Sequence, residues 1–201
     1  MHQSVFDPSL QNVDTPAKIV AGIERLAEAI RVLLWDQAKE TGLSPIQIQI
    51  LLFVAYHTQR LTTVSHLARE FNMSKPTISD AVKSLYSKKL IKKDRYKDDL
   101  RTYSISLSKA GEKVIEKTQD LGHPLRSIAA TLPKSDQDKF VELLSKMIYG
   151  LHNMDILAIQ RMCFSCQFFD DKGKKTYCRL LGKELRPVDI RIDCPEFEPL
   201  P

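Results

Sequence analysis

The stretch Thr62-Thr-Val-Ser-His-Leu-Ala-Arg-Glu-Phe-Asn-Met-Ser74-Lys-Pro-Thr-Ile-Ser-Asp-Ala-Val-Lys-Ser-Leu-Tyr-Ser87 reads as two short helices around a tight turn. Thr62 or Thr63 caps the first, which places Val64, Leu67, Ala68 and Phe71 on one face. Asn72-Met73 breaks it, and asparagine tolerates the left-handed turn conformation. Ser74 caps the second helix and Pro76 sits in its first turn, where a missing N–H costs nothing. Ile78, Ala81, Val82 and Leu85 follow at i, i+3, i+4 and i+7, so that face turns inward. Helix, short turn, helix is the outline of a helix-turn-helix.

Downstream, Leu90-Ile91 and the alternating Tyr103, Ile105 and Leu107 predict two strands around a polar turn, Tyr96–Leu100. A capped helix pair followed by a basic hairpin is a winged helix. Charge singles out the same region. The chain has 201 residues and a formal charge of +5. Nine lysines and arginines and four aspartates lie between Ser74 and Arg101, a surplus equal to that of the whole chain. A charge cluster alone is more often a solvated face, but one coincident with a helix-turn-helix is the footprint of a nucleic-acid surface. On the second helix the outward face shows Pro76, Ser79, Asp80, Lys83 and Ser87, with Thr77 beside them, and Ser74 and Lys75 at the helix start join the candidate DNA contacts. Short polar side chains there suit base edges, and the free N–H groups of the helix start suit a phosphate. Lys83 has the reach for a phosphate or a guanine, and Asp80 can accept from a cytosine amine. Arg95, Lys97 and Arg101 on the hairpin suit a neighbouring minor groove.

From Gly42 to Gly111 the sequence resembles the MarR regulators, the multiple antibiotic resistance family. The resemblance is carried by Gly42-Leu43-Ser44, Leu67-Ala68, Ser74-Lys75-Pro76-Thr77-Ile78-Ser79, Leu90-Ile91, Asp99-Leu100-Arg101 and Leu107-Ser108-Lys109-Ala110-Gly111. It extends over roughly residues 16–154 and implies a homodimer on a near-palindromic duplex site. It also implies that Arg101 enters the minor groove with Asp99 holding it. Two departures stand out: Leu100 replaces an arginine usual in that turn, and Lys89 sits where a glycine usually ends the helix. The resemblance permits a small aromatic effector between the dimer helices and the winged lobe, although no residue here identifies one.

Residues 1–15 show no periodicity and are expected to form a loose arm. From Pro16 to about Glu40, Ile19, Val20, Ile23, Leu26, Ala27, Ile30 and Leu34 recur at helical spacing, a longer stripe than one small core requires, so part of it is expected to meet a second subunit. Ser44-Pro45-Ile46-Gln47 is a helix start that outweighs the strand-like alternation of Ile46, Ile48 and Ile50. Ser108 starts another helix, and Phe140, Val141, Leu144, Met147, Ile148 and Leu151 mark an amphipathic one. Trp35 is expected in the core, and His57 in the core or a pocket.

The expected organisation is therefore mainly α with a small β-hairpin wing. It comprises an arm (1–15), a winged-helix and dimerisation domain with long flanking helices (16–154), and a small four-cysteine metal-binding tail (155–201). Cys163, Cys166, Cys178 and Cys194 all fall in that tail. Structural disulfides are rare in the cytosol, so clustered thiols there point to a metal. Four thiolates suit one Zn2+ or one [4Fe-4S] cluster per chain. A tail so short and polar is expected to need a bound ion to fold. The separated second pair, the nearby aromatics and Cys194-Pro195 lean toward iron–sulfur, while zinc stays open. The centre then acts as a structural staple or as a redox or metal sensor.

The longest uncharged stretch, Thr41–Gln59, has an apolar run of only Ile50–Tyr56, short of the ~20 residues a membrane span needs. The first residues lack a basic start with an apolar core, so a cytoplasmic location is expected. No nucleophile elbow, phosphate loop or His-Glu-x-x-His pair occurs, and an enzyme is not expected. The remaining alternative is an iron–sulfur electron-transfer or accessory protein that uses its winged helix for protein docking.

Overall fold

The computed structural model describes residues 4–95, 103–158, 161–171 and 175–200. The first fifteen residues are not simply a loose arm. Asp7 accepts from the Ser9 N–H (2.9 Å) and starts a six-residue helix, α1 (Pro8–Val13). Asp14 accepts from the Ala17 N–H (2.7 Å) and starts α2 (Thr15–Thr41). Both are Asp caps with proline in the following turn; α1 is too short to display an apolar period, so periodicity alone overlooked it.

Gly42, at φ +66°, ends α2 in the left-handed conformation. A full capping box then opens α3 (Pro45–Tyr56): Ser44 Oγ accepts from the Gln47 N–H, and Gln47 Oε1 accepts from the Ser44 N–H (3.1 Å). The Ile46/48/50 alternation is a helix apolar nearly all round; Gln47, Ile48, Ile50, Leu51, Phe53 and Val54 are all buried.

Of the two threonines, Thr63 caps α4 (Val64–Glu70), its Oγ1 accepting from the His66 N–H. Thr62 is buried and donates to the Ile105 carbonyl at 2.7 Å, while the Ile105 N–H reaches the Thr62 carbonyl. This ties the entry of the helix-turn-helix to the hairpin behind it. Asn72 takes φ +51°, and Ser74 caps α5 (Lys75–Ser87), which buries Ile78, Ala81, Val82 and Leu85. Lys89 takes φ +58° without a glycine's freedom. β1 (Ile91–Arg95) then pairs antiparallel with β2 (Tyr103–Leu107), from Ile91↔Leu107 to Arg95↔Tyr103.

Ser108 caps α6 (Lys109–Thr118) and also donates to the Lys89 carbonyl (2.6 Å). α7 (His123–Ala130) and α8 (Lys134–Asn153) follow. One core gathers the end of α2, the inward faces of α3, α4 and α5, Ile91, Ile105 and Ile115.

Much of α2 lies outside that core. Only Ala17, Leu34 and Ala38 of its 27 residues are buried. Trp35 is 54% exposed, against the expectation that it is core: it sits next to Leu34 in sequence but on the outward side of the helix.

A small core lies in the tail. Met162, Cys163, Leu185 and Ile190 are buried together and borrow Ile148 from α8. Three two-residue strands, β3 (Phe169–Asp170), β4 (Tyr177–Cys178) and β5 (Lys183–Glu184), form an antiparallel sheet over it. Among the described residues no helix is long and apolar enough to cross a membrane.

Candidate nucleic-acid interface and the four-cysteine tail

The start of α5 is presented to solvent. Ser74, Lys75, Pro76, Thr77, Asp80 and Lys83 are exposed and Ser79 is half-buried, because the opposite face is pinned by Ile78 and Val82. Ser74 Oγ is bound to Thr77 Oγ1 (2.8 Å) and accepts from the Thr77 N–H, which orients the first turn. Lys83 Nζ rests on Asp80 Oδ1 at 3.0 Å. Both side chains are well exposed, so this pair is weak and exchangeable for a phosphate.

Two further cations of the basic block have intramolecular partners among the described residues. Lys88 Nζ donates to the Gly42 carbonyl (2.8 Å) at the end of α2, and Lys93 lies 4.8 Å from the ring centres of both Tyr86 and Tyr103. Lys97, Asp99 and Arg101, and the side chain of Arg95, lie outside the described residues.

Residues 41–101 match the family model described as MarR family. The fold agrees with that of solved MarR-type structures. The S. aureus MepR–DNA complex is similar with a TM-score of 0.58 and 20% identity, over 66% of this chain and 97% of that one. S. aureus MepR in its DNA-binding conformation gives 0.59 and 19%, over 66% and 98%. A MarR/EmrR family transcriptional regulator from Acinetobacter sp. ADP1 gives 0.58 and 20%, over 70% and 99%. At these identities the likeness establishes a MarR-type winged helix as the fold. Among curated proteins no relative matches the sequence.

Beyond the MarR-like part, the four cysteines line one small cavity in the tail. Cys163 and Cys166 bracket a single 3-10 turn closed by Cys166 N–H to Cys163 O (3.0 Å), Cys178 comes from β4, and Cys194 follows Asp193. Burial pushes the Cys163 thiol up; the N–H of Arg191 opposes this, and the other three thiols add to the rise. The Arg191 backbone N–H points at Cys163 Sγ (3.3 Å) and its guanidinium at Cys194 Sγ (3.4 Å). Among the described residues, no three His, Cys, Asp or Glu side chains are grouped so as to hold a metal ion.

Sequence reasoning missed the connection between tail and winged helix. Arg161, its side chain 9% exposed, meets Glu70 Oε2 at 2.6 Å and Oε1 at 3.1 Å, and Asp193 Oδ1 at 2.6 Å and Oδ2 at 2.9 Å. The guanidinium also lies over the Phe53 ring. His57, placed by sequence in a core or pocket, stacks on Phe53 and meets Asp193 Oδ2 at 2.8 Å. A second tie runs from the turn of the helix-turn-helix: Asn72 Nδ2 donates to the Ile156 carbonyl (2.7 Å).

Burial pushes the Glu70 carboxyl up, but the nearby His66 ring and the hydrogen bonds from Arg161 outweigh it and hold the group below its ordinary value. The hydrogen bond from Arg161 lowers Asp193 in the same way. Glu70 ends α4, and Asp193 adjoins Cys194. The clasp thus spans from the thiol cavity to the helix-turn-helix through three side chains.

Proposed function

We propose that this chain is a sequence-specific DNA-binding transcription regulator that acts as a homodimer. We propose further that the four cysteines of its tail hold one metal centre whose state tunes DNA binding. The observation that carries the DNA reading is the exposed, serine-capped start of α5, with Lys75 and Lys83 toward solvent beside the basic hairpin. Two such elements spaced across a dimer would meet successive major grooves of a near-palindromic site, with the hairpin arginines over the adjoining minor grooves.

Exposed apolar stripes support the dimer. Ile19, Ile23, Leu26 and Ile30 on α2, and Phe140, Leu143, Met147 and Leu151 on α8, recur at spacings of three and four residues and are left to solvent. The MarR resemblance leaves room for a small aromatic effector between the dimer helices and the winged lobe. For the tail, a route to the DNA-binding element is needed, since tuning requires a different affinity for two states. The Arg161 clasp supplies that route.

The test is duplex affinity against salt. Each lost phosphate contact lowers the log–log slope by about 0.9, so Lys75→Ala and Lys83→Ala are each expected to flatten it by about one, and Arg101→Ala to weaken binding through its lost minor-groove contact. Leu26→Glu is expected to yield monomers with much weaker binding, read by sedimentation. A wild-type protein that ignores duplex DNA, or binds it with no salt dependence, overturns the reading and favours a docking role for the winged helix.

A further inference from the structure

The tail cavity has about 40 Å3 of interior space. Besides the four cysteines it is lined by the apolar side chains of Phe168, Phe169, Leu180, Leu181 and Leu185. Lys183, Arg191, Asp189 and Glu196 line it as well. Each acid is already engaged: Asp189 with Arg186 and Lys183, and Glu196 with Arg191.

We propose that this cavity is the seat of a [4Fe-4S] cluster rather than of a zinc ion. This rests on reading the tail as a metal site and names what the site takes.

Four thiolates on one zinc sit ~2.3 Å from the metal, which puts each pair of sulfurs about 3.8 Å apart. Here all four thiols line the walls of one cavity that keeps interior space between them. A cubane carries its four irons at separate corners, so its cysteines stand around a body instead of a point. The supply of ligands agrees. One tight Cys-x-x-Cys turn, one cysteine from a strand and one from an extended segment bring the sulfurs in from separate directions. A zinc ribbon would instead use two tight turns.

The electrostatics agree as well. When the four thiols give up their protons to bind metal, negative charge gathers in an apolar pocket. The backbone N–H of Arg191 on Cys163 and its guanidinium on Cys194 are placed to offset that charge. The Cys194 thiol now donates to the Glu196 carboxylate at 3.4 Å; once Cys194 is deprotonated that bond is gone, and Glu196 stays with Arg191. Hydrogen bonds to the sulfurs and an apolar wall are also what set a cluster's potential.

The full chain, produced in iron- and zinc-replete cells and purified without oxygen, is to be assayed for iron, acid-labile sulfide and zinc, with absorption spectra before and after dithionite. The expected result is about four irons and four sulfides per chain and a broad visible band that bleaches on reduction. Cys166→Ser and Cys178→Ser are expected to lose most of that band, and Ser165→Ala, in the same turn but no ligand, to keep it. One zinc per chain without sulfide overturns the cluster and leaves the metal-site reading standing. Neither metal in a folded protein overturns both. The wild-type measurement decides the matter even if the cysteine variants do not fold.

Discussion

Arg161→Met is expected to destabilise the protein by about 2–3 kcal/mol and to cut the tail's influence on DNA binding. The guanidinium makes four hydrogen bonds to two carboxylates and is nearly closed off from water. Removing one partner of a buried ion pair costs about 3–5 kcal/mol, mainly because the other partner is left uncompensated. Here the figure is lowered because Asp193 is 45% exposed and water takes over part of Arg161's work. Glu70, at 18%, is the group stranded. Adding Glu70→Gln to Arg161→Met is therefore expected to restore part of the loss, a pairwise signature read in a double-mutant cycle by chemical denaturation. The second readout is functional. In the wild type, removing the metal proposed for the tail is expected to change duplex affinity; in Arg161→Met the two forms are expected to bind alike. Unchanged stability and an intact metal response would show that the tail communicates by another path.

The same clasp predicts a response to acid. Glu70 in the folded protein titrates below its ordinary value of 4.5. A carboxyl lowered in this way stabilises the fold fully at pH values above the unfolded pKa. That contribution fades as pH drops through the folded pKa. The junction is thus expected to hold at neutral pH and to weaken below about pH 4.5, seen as faster exchange of the Cys194 amide, which is bonded to the Arg161 carbonyl. Glu70→Gln is expected to show much less of this acid-dependent change.

The helix-turn-helix was legible because its signals are local. Ser44, Thr63, Ser74 and Ser108 each cap a helix within three residues of themselves, and the inward face of α5 follows one period. The clasp was not legible, because Glu70, Arg161 and Asp193 lie 91 and 32 residues apart and no short-range pattern marks a charge for burial. Lys88 shows the same limit from the other side. In sequence it is one more cation of a basic block, whereas in the fold it holds the end of α2. Trp35 was misplaced because hydrophobicity alone does not say which side of a long helix faces the subunit's own core.

Gly111→Ala is expected to be among the most damaging single-methyl changes in the winged helix, at about 3 kcal/mol. A Cβ built there lies 2.1 Å from the Leu90 carbonyl oxygen and 3.1 Å from its carbon, with Leu107 Cδ2 at 3.4 Å. The obstacle is backbone, so no rotamer change relieves it. Leu90 cannot retreat cheaply either, because its carbonyl accepts the Ser108 N–H (3.0 Å) and its own N–H is bonded to Leu85 O (3.0 Å). Alanine's better helix propensity returns only about 1 kcal/mol. The relief available is for α6 to move off the base of the wing, which shifts β1 and β2 relative to α5. Duplex affinity is therefore expected to fall along with stability. Gly22→Ala is the matching control: it also lies within a helix, α2, but a Cβ there meets nothing within 4 Å. That change is expected to stabilise by about 0.5–1 kcal/mol. Opposite signs for the two glycines, measured by denaturation on the same chain, isolate the close approach at Leu90 as the reason Gly111 is a glycine; equal signs would remove it.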